Sequence, residues 1–206
     1  MPSVKLEFYF DCTSPWTYLA FVGVLKLAEK QNADLILKPI LVGGIFNQVN
    51  KGVYEERKHP NPLKKDYGWK DLQDWASLAG LTLRMPTVFP APAVDLMRGA
   101  IVALDEGKLK PYAKAAFHAY WTEDRDISQH NVIVEICNKA NLNSSIVFQR
   151  IQQTDVKDRL RKNGDELISR GGFGSPTFFV ETTDMYFGND RLLLVERAIE
   201  RERKRT

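Results

Sequence analysis

Apolar and polar positions alternate through Val4 to Asp11 (VKLEFYFD), a segment rich in aromatic side chains. Successive side chains of an extended chain point to opposite faces, so this period of two predicts a strand. The period changes after Pro15, where Tyr18, Val22, Leu25 and Ala28 recur at helical spacing. Ser14 offers an N-cap oxygen and Pro15 is the residue favoured at the first helical position, so a helix is predicted to about Gln31. Leu35 to Leu41 (LILKPIL) reads as the next strand. Strand, helix and strand form a βαβ unit whose crossover should be right-handed.

From Ile45 to about Arg170 the signals are almost entirely helical. Leu72, Trp75, Ala76 and Ala79 mark one helix ending before Gly80, and further helices are expected at 93–104, 110–121, 131–139, 144–151 and 154–168. Pro60, Pro62, Pro86, Pro90 and Pro92 punctuate the connections. Strands return at Pro176 to Glu181 (PTFFVE) and Met185 to Phe187, joined by Thr182-Thr183-Asp184. A closing helix with a basic last turn, suited to the helix dipole, follows Asn189-Asp190. Neither pair of strands could stand alone as a sheet. The expected architecture is therefore α/β: one four-stranded sheet contributed by 1–44 and 171–206, with an all-helical domain at 45–170 inserted into it.

Composition narrows the function without naming it. A chain of 206 residues with 44% hydrophobic residues can bury a sizeable core. Its 29 basic and 26 acidic residues are intermixed and leave a net charge of only +3, which gives no phosphate-tracking stripe, so no nucleic-acid partner is expected. No apolar run approaches the roughly 20 residues of a membrane-spanning helix, so no membrane partner is expected. The opening Met-Pro-Ser-Val-Lys runs straight into a strand, and the closing Lys-Arg-Thr matches no peroxisomal or prenylation address; a cytoplasmic protein is the expectation. Cys12 and Cys137 are too few for a disulfide framework or a structural zinc site, and His59, His118 and His130 share no metal-ligand spacing, so no metal is expected. Both cysteines read as small buried residues. Trp69, Trp75 and Trp121 read as helix-packing residues, and the charged run Glu196 to Arg205 reads as a solvated terminal helix.

Three segments could carry chemistry. Asp11-Cys12-Thr13-Ser14-Pro15-Trp16-Thr17-Tyr18 leaves a strand and opens a helix, where unpaired N–H groups and a partial positive charge favour an anion; the same residues could simply cap the helix. Gly171-Gly172-Phe173-Gly174-Ser175-Pro176-Thr177 puts a glycine-rich turn before a proline that opens a strand. Phe187-Gly188-Asn189-Asp190-Arg191 precedes the last helix and could be no more than a hairpin end and a cap. Their order along the chain is the thioredoxin-like one, in which redox members open the first helix with Cys-x-x-Cys. Here those positions read Ser14-Pro15-Trp16-Thr17, with hydroxyls in place of both sulfurs. Such a site cannot cycle a disulfide of its own, but it can hold the thiolate of another molecule, and glutathione is the natural cytosolic small thiol.

The stretches FYFDCTSPWTYLA (8–20), LKPILVGGIFNQVN (37–50), LKKDYGWKDLQDWASLAG (63–80), GGFGSPTFFV (171–180) and FGNDRL (187–192) resemble the 2-hydroxychromene-2-carboxylate isomerases and kappa-class glutathione transferases, relatives of the DsbA-type oxidoreductases. The resemblance spans nearly the whole chain. It implies a thioredoxin-like mixed sheet with a helical insertion, a homodimer, and glutathione as cofactor. It places the catalytic serine at Ser14 and a cis bond at Ser175–Pro176, with Ser175 meeting the cysteinyl part of glutathione. Phe187, Gly188, Asn189 and Asp190 would hold the γ-glutamyl end. Asn50 and Lys64 would approach the glycyl end, with Asn47 competing with Asn50 for that place, and Asn47 and Phe89 would line the pocket of a small aromatic substrate. The implied reaction is isomerisation of 2-hydroxychromene-2-carboxylate or a related intermediate of aromatic-hydrocarbon catabolism, by reversible thiolate addition and bond rotation. The alternatives are a kappa-type transferase conjugating electrophiles, and a redox-inactive thioredoxin-like binding module.

Overall fold

The computed structural model describes residues 3–205, so expectations resting on Met1, Pro2 and Thr206 fall outside the described residues. The chain runs β1 (Lys5–Phe10), α1 (Pro15–Lys30), β2 (Asp34–Pro39), α2 (Val42–Val49), α3 (Gly52–Lys58), α4 (Pro62–Ala79), α5 (Val94–Asp105), α6 (Leu109–Trp121), α7 (His130–Lys139), α8 (Ser144–Arg150) and α9 (Thr154–Ser169). It ends with β3 (Thr177–Val180), β4 (Asp184–Phe187), a 3₁₀ turn (Asn189–Arg191) and α10 (Leu192–Arg205). The strand order is β2-β1-β3-β4, with β1 and β2 parallel and the other pairs antiparallel. This is the thioredoxin-like mixed sheet expected from the sequence, with α2 to α9 entering the chain between β2 and β3.

Alternation along β1 sorts its side chains onto two layers. Leu6, Phe8 and Phe10 enter the main core with Phe21 of α1, Val195 of α10 and Phe117 of α6. The Phe8 ring stacks on Phe178 of β3 at 5.0 Å, and Phe117 lies 6.3 Å from Phe10 and 5.3 Å from Phe21. The inserted helices thus share one apolar core with the sheet. Each fully buried aromatic contributes roughly 1.5–3 kcal/mol through the area it removes from water. Tyr9 points the other way, to Ile40, Ile45 of α2, Leu167 of α9 and Phe179.

Glu7 is on that second face and is almost fully buried. Lys5, Lys38 and Arg170 approach its carboxylate at 2.9, 3.2 and 2.6 Å. Lys38 and Arg170 also reach Glu166 of α9, at 2.6 and 3.3 Å. Burial opposes the charge on Glu7, but the surrounding hydrogen bonds from Lys5, Arg170 and Lys38 prevail and hold its pKa below the usual carboxylate value.

Two local differences from the sequence reading have clear causes. α4 begins at Pro62, well before its apolar repeat, because the Asn61 side chain accepts from the N–H groups of Leu63 and Lys64 while Pro62 takes the first helical position. Its other end is closed by Gly80 at φ 71°, a left-handed turn that glycine adopts without strain. β2 stops at Pro39, two residues earlier than predicted, and Ile40 keeps only its N–H bond to the Phe10 carbonyl at 3.0 Å. Among the described residues, no helix is long and apolar enough to cross a membrane.

Candidate active site

The site is assembled where β1 gives way to α1. Asp11 is buried, and its carboxylate accepts from Thr13 N (2.8 Å), Thr13 Oγ1 (2.7 Å) and Val42 N (2.8 Å). One side chain therefore caps α2 from a distance and fixes the loop that leads into α1. Burial pushes the Asp11 carboxyl pKa up, and the bonds from Val42 and Thr13 pull only part of the way back.

Ser14 is the N-cap of α1: its backbone is extended and its Oγ accepts from Thr17 N at 3.2 Å. That bond uses a lone pair. The hydroxyl proton meets no acceptor among the described residues and is free to donate at the positive end of the helix. Thr17, fully buried, lies with its Oγ1 2.8 Å from Ser175 Oγ, which also accepts from Asp11 N at 3.2 Å. Ser175–Pro176 is cis, as expected, and so is Phe89–Pro90, which no sequence signal indicated.

Two cavities open at this point. The first, of about 540 Å³, is bounded by Ser14 and Asp11 on one side and by apolar groups from α2, α3 and the segment around Phe89 on the other. Tyr120 shapes that segment, its hydroxyl donating to Val88 O (2.9 Å) and accepting from Ala91 N (3.1 Å). The second cavity, of about 420 Å³, is lined by Asp71 and Trp75 of α4, by Ser175 and Pro176, and by Phe187, Gly188, Asn189 and Asp190. Trp16 and Ser175 belong to both, so a ligand can extend from one to the other past Ser14. Gly188 has φ 111°, and a Cβ there would lie 2.7 Å from Asp190 Oδ1, so the glycine gives the Asp190 carboxylate its place.

The sequence-derived residues divide between these cavities. Ser14 and Phe89 line the first, Pro176 and the Phe187–Asp190 run line the second, and Ser175 joins them. Asn50 stands apart and donates to Phe173 O at 3.3 Å, tying the α2–α3 junction to the loop before Pro176. Asn47 on α2 and Lys64 on α4 are exposed and line neither cavity. Sequence reasoning assigned no site role to Arg57 or Asp71, read Trp75 as a packing residue, and reached Trp16 only as part of the Asp11–Tyr18 segment. Asp71 and Trp75 are four residues apart on α4, a spacing that puts both on one helical face; Trp75 packs on the core and also walls the second cavity.

Both cysteines are buried and unpaired. Burial, with Asp11 beside it, pushes the Cys12 thiol well above its ordinary pKa, and burial lifts Cys137 to about 11. Among the described residues, no cluster of His, Cys, Asp and Glu could hold a metal ion.

The model of the DSBA-like thioredoxin domain family matches residues 5–200. The chain is 28% identical over 203 residues to a 2-hydroxychromene-2-carboxylate isomerase from Pseudomonas putida, covering 95% of this chain and 94% of the relative. It is 25% identical to glutathione S-transferase kappa 2 from Caenorhabditis elegans, covering 93% and 90%. Among solved structures it resembles a 2-hydroxychromene-2-carboxylate isomerase with a TM-score of 0.83 and 25% identity, covering 98% and 97% of the two chains. A probable DsbA oxidoreductase from Streptomyces coelicolor shares the fold at a TM-score of 0.79 and 16% identity, covering 96% of this chain and 89% of that one.

Proposed function

The chain belongs to the DSBA-like thioredoxin domain family, and within it we propose that the protein is a glutathione-dependent isomerase of the 2-hydroxychromene-2-carboxylate type. One observation carries this reading: hydroxyls stand at both redox positions, where a polar cleft and an apolar cavity meet.

Glutathione fits what the residues offer. The second cavity presents the Asp71 and Asp190 carboxylates for an ammonium group, with Asn189 beside them. Ser14 presents a free O–H and the helix end for a thiolate, whose parent thiol has an ordinary pKa of about 8.5. When bound, glutathione supplies a nucleophile whose reversible addition to a conjugated carbon turns a double bond single and lets it rotate. Ser14 would donate to the sulfur and favour its ionised form at neutral pH. Thr17 and Asp11 N fix Ser175 through its Oγ, and the backbone before Pro176 would meet the cysteinyl part of glutathione. Trp16, Phe46, Phe89 and Val94 exclude water from the aromatic substrate. Asn50, Asn47 and Lys64 are assigned to the glycyl end and the pocket rim on the family resemblance alone.

We take the enzyme to be a cytoplasmic homodimer. The helix α4 supports the second part: Leu63, Tyr67 and Leu78 are 80%, 66% and 79% exposed, apolar side chains that a second copy would cover along with the Lys70–Asp74 ion pair between them.

The test is turnover of 2-hydroxychromene-2-carboxylate followed by absorbance with glutathione well below the substrate concentration. Full conversion with glutathione undiminished is expected. Consumption of one glutathione per electrophile makes the protein a kappa-type transferase, and absence of glutathione binding by calorimetry makes it a binding module.

A further inference from the structure

Arg57 of α3 lines the apolar cavity beside Ser14. Its guanidinium carbon is 5.8 Å from the centre of the Phe46 ring and 5.7 Å from that of Phe89, so the cation is held by two walls of the cavity. Among the described residues no carboxylate pairs with it, whereas Lys58, next in the chain, pairs with Glu55 at 2.9 Å. The one carboxyl lining the cavity, Asp11, is engaged by three donors from Thr13 and Val42 rather than by Arg57. The remaining lining is apolar apart from hydroxyl groups, the Trp16 indole N–H and backbone. The cavity thus has one positive charge with no carboxylate paired to it among the described residues, set on aromatic rings and opening on the same space as the Ser14 hydroxyl.

We propose that Arg57 is a specificity-determining residue that receives the carboxylate of an aromatic substrate, leaving the conjugated carbon toward Ser14. The inference rests on the proposed function only for the chemistry that follows binding. A guanidinium presents a planar fork of donors that matches a carboxylate, and the flanking rings keep it in that plane with less rotamer freedom to lose. A neutral aromatic of the same shape would fill the cavity equally well and leave Arg57 without a counter-charge.

The test compares two probes of one shape, 2-naphthoate and 2-naphthamide, by calorimetry with the whole protein. The wild type is expected to bind the naphthoate about tenfold more tightly than the naphthamide, the range of a single partly exposed charge-assisted contact. In Arg57→Gln that ratio should fall to near one through loss of naphthoate affinity, with naphthamide affinity and glutathione affinity retained. Arg57→Lys, which keeps the charge and loses the fork, should restore part of the ratio. A wild-type ratio near one, or equal loss of both probes in Arg57→Gln and Arg57→Lys, overturns the proposal. Because both probes are read without turnover, a protein that fails to isomerise anything can still show the tenfold ratio, and an active isomerase can still lack it.

Discussion

Thr17 on α1 and Ser175 before β3 are joined hydroxyl to hydroxyl at 2.8 Å. In the thioredoxin plan the first of these positions bears the second sulfur of the redox pair. Here it carries an oxygen that ties the start of α1 to the cis-proline segment, and the tie cannot be opened or closed by electrons. The rigidity of the site is thus independent of redox state, which suits the proposed holding of a borrowed thiolate in one place.

Redox silence follows from the same pair. The protein should show no insulin-reductase or dithiol-oxidase activity, since Ser14 and Thr17 have no sulfur and burial keeps the Cys12 thiol protonated. Thiol–disulfide turnover that persists in Cys12→Ser and Cys137→Ser variants would contradict the assignment of both hydroxyl positions.

Ser14→Ala separates capping from catalysis. Loss of the bond to Thr17 N should lower stability by about 1 kcal/mol. Loss of the donated hydrogen bond should raise the pKa of the bound thiol and lower the rate at neutral pH by roughly 10- to 150-fold, the equivalent of about 1.5–3 kcal/mol. The deficit should shrink as pH rises, because the free thiolate then forms unaided. Rate profiles against pH, measured beside thermal melts, resolve the two contributions; a stable variant with the wild-type rate at neutral pH would leave Ser14 as a cap alone.

Asp190 should contribute a modest, screened interaction with the glutathione ammonium. Its side chain is 47% exposed and lies 2.6 Å from Arg191, so Asp190→Ala is expected to weaken binding by about 1 kcal/mol, roughly fivefold in Kd. Gly188→Ala should be worse than Asp190→Ala, since the added methyl both meets Asp190 Oδ1 and strains a positive φ. Calorimetric titration of glutathione checks the order; the reverse ranking would place the ammonium elsewhere.

The pH dependence of stability should carry opposite signatures from two buried carboxylates. Glu7 has its folded pKa lowered, so its contribution is complete above the unfolded value of about 4.3 and is lost as pH falls through the folded one. Asp11 has its folded pKa raised, so stability declines as pH rises from its unfolded value of about 3.9 toward the folded one. Glu7→Ala strands Lys5, Lys38 and Arg170 without their buried anion and should cost about 3–5 kcal/mol at neutral pH. Urea unfolding across the acid range reads all three; a Glu7→Ala protein as stable as wild type at neutral pH would show the cluster to be energetically idle.

Local chemistry along the chain determined the elements whose signals are short in range. The alternation in β1, the Ser14–Pro15 start of α1, the strand signals after Pro176 and the pair of hydroxyls at Ser14 and Thr17 are all readable from neighbours in sequence, because period, capping and side-chain identity are local properties. The fold order and the catalytic serine expected on family resemblance rest on those same residues. Tertiary structure alone decided which side chains share a cavity. α2 has no capping side chain of its own, and its first N–H is satisfied by Asp11, 31 positions away. Asp71 and Trp75 meet Asp190 across the second cavity, and Arg57 is placed between Phe46 and Phe89, from two further segments. Cavities form where elements remote in sequence pack edge to edge, and no periodicity within one element encodes which residues of another will face it.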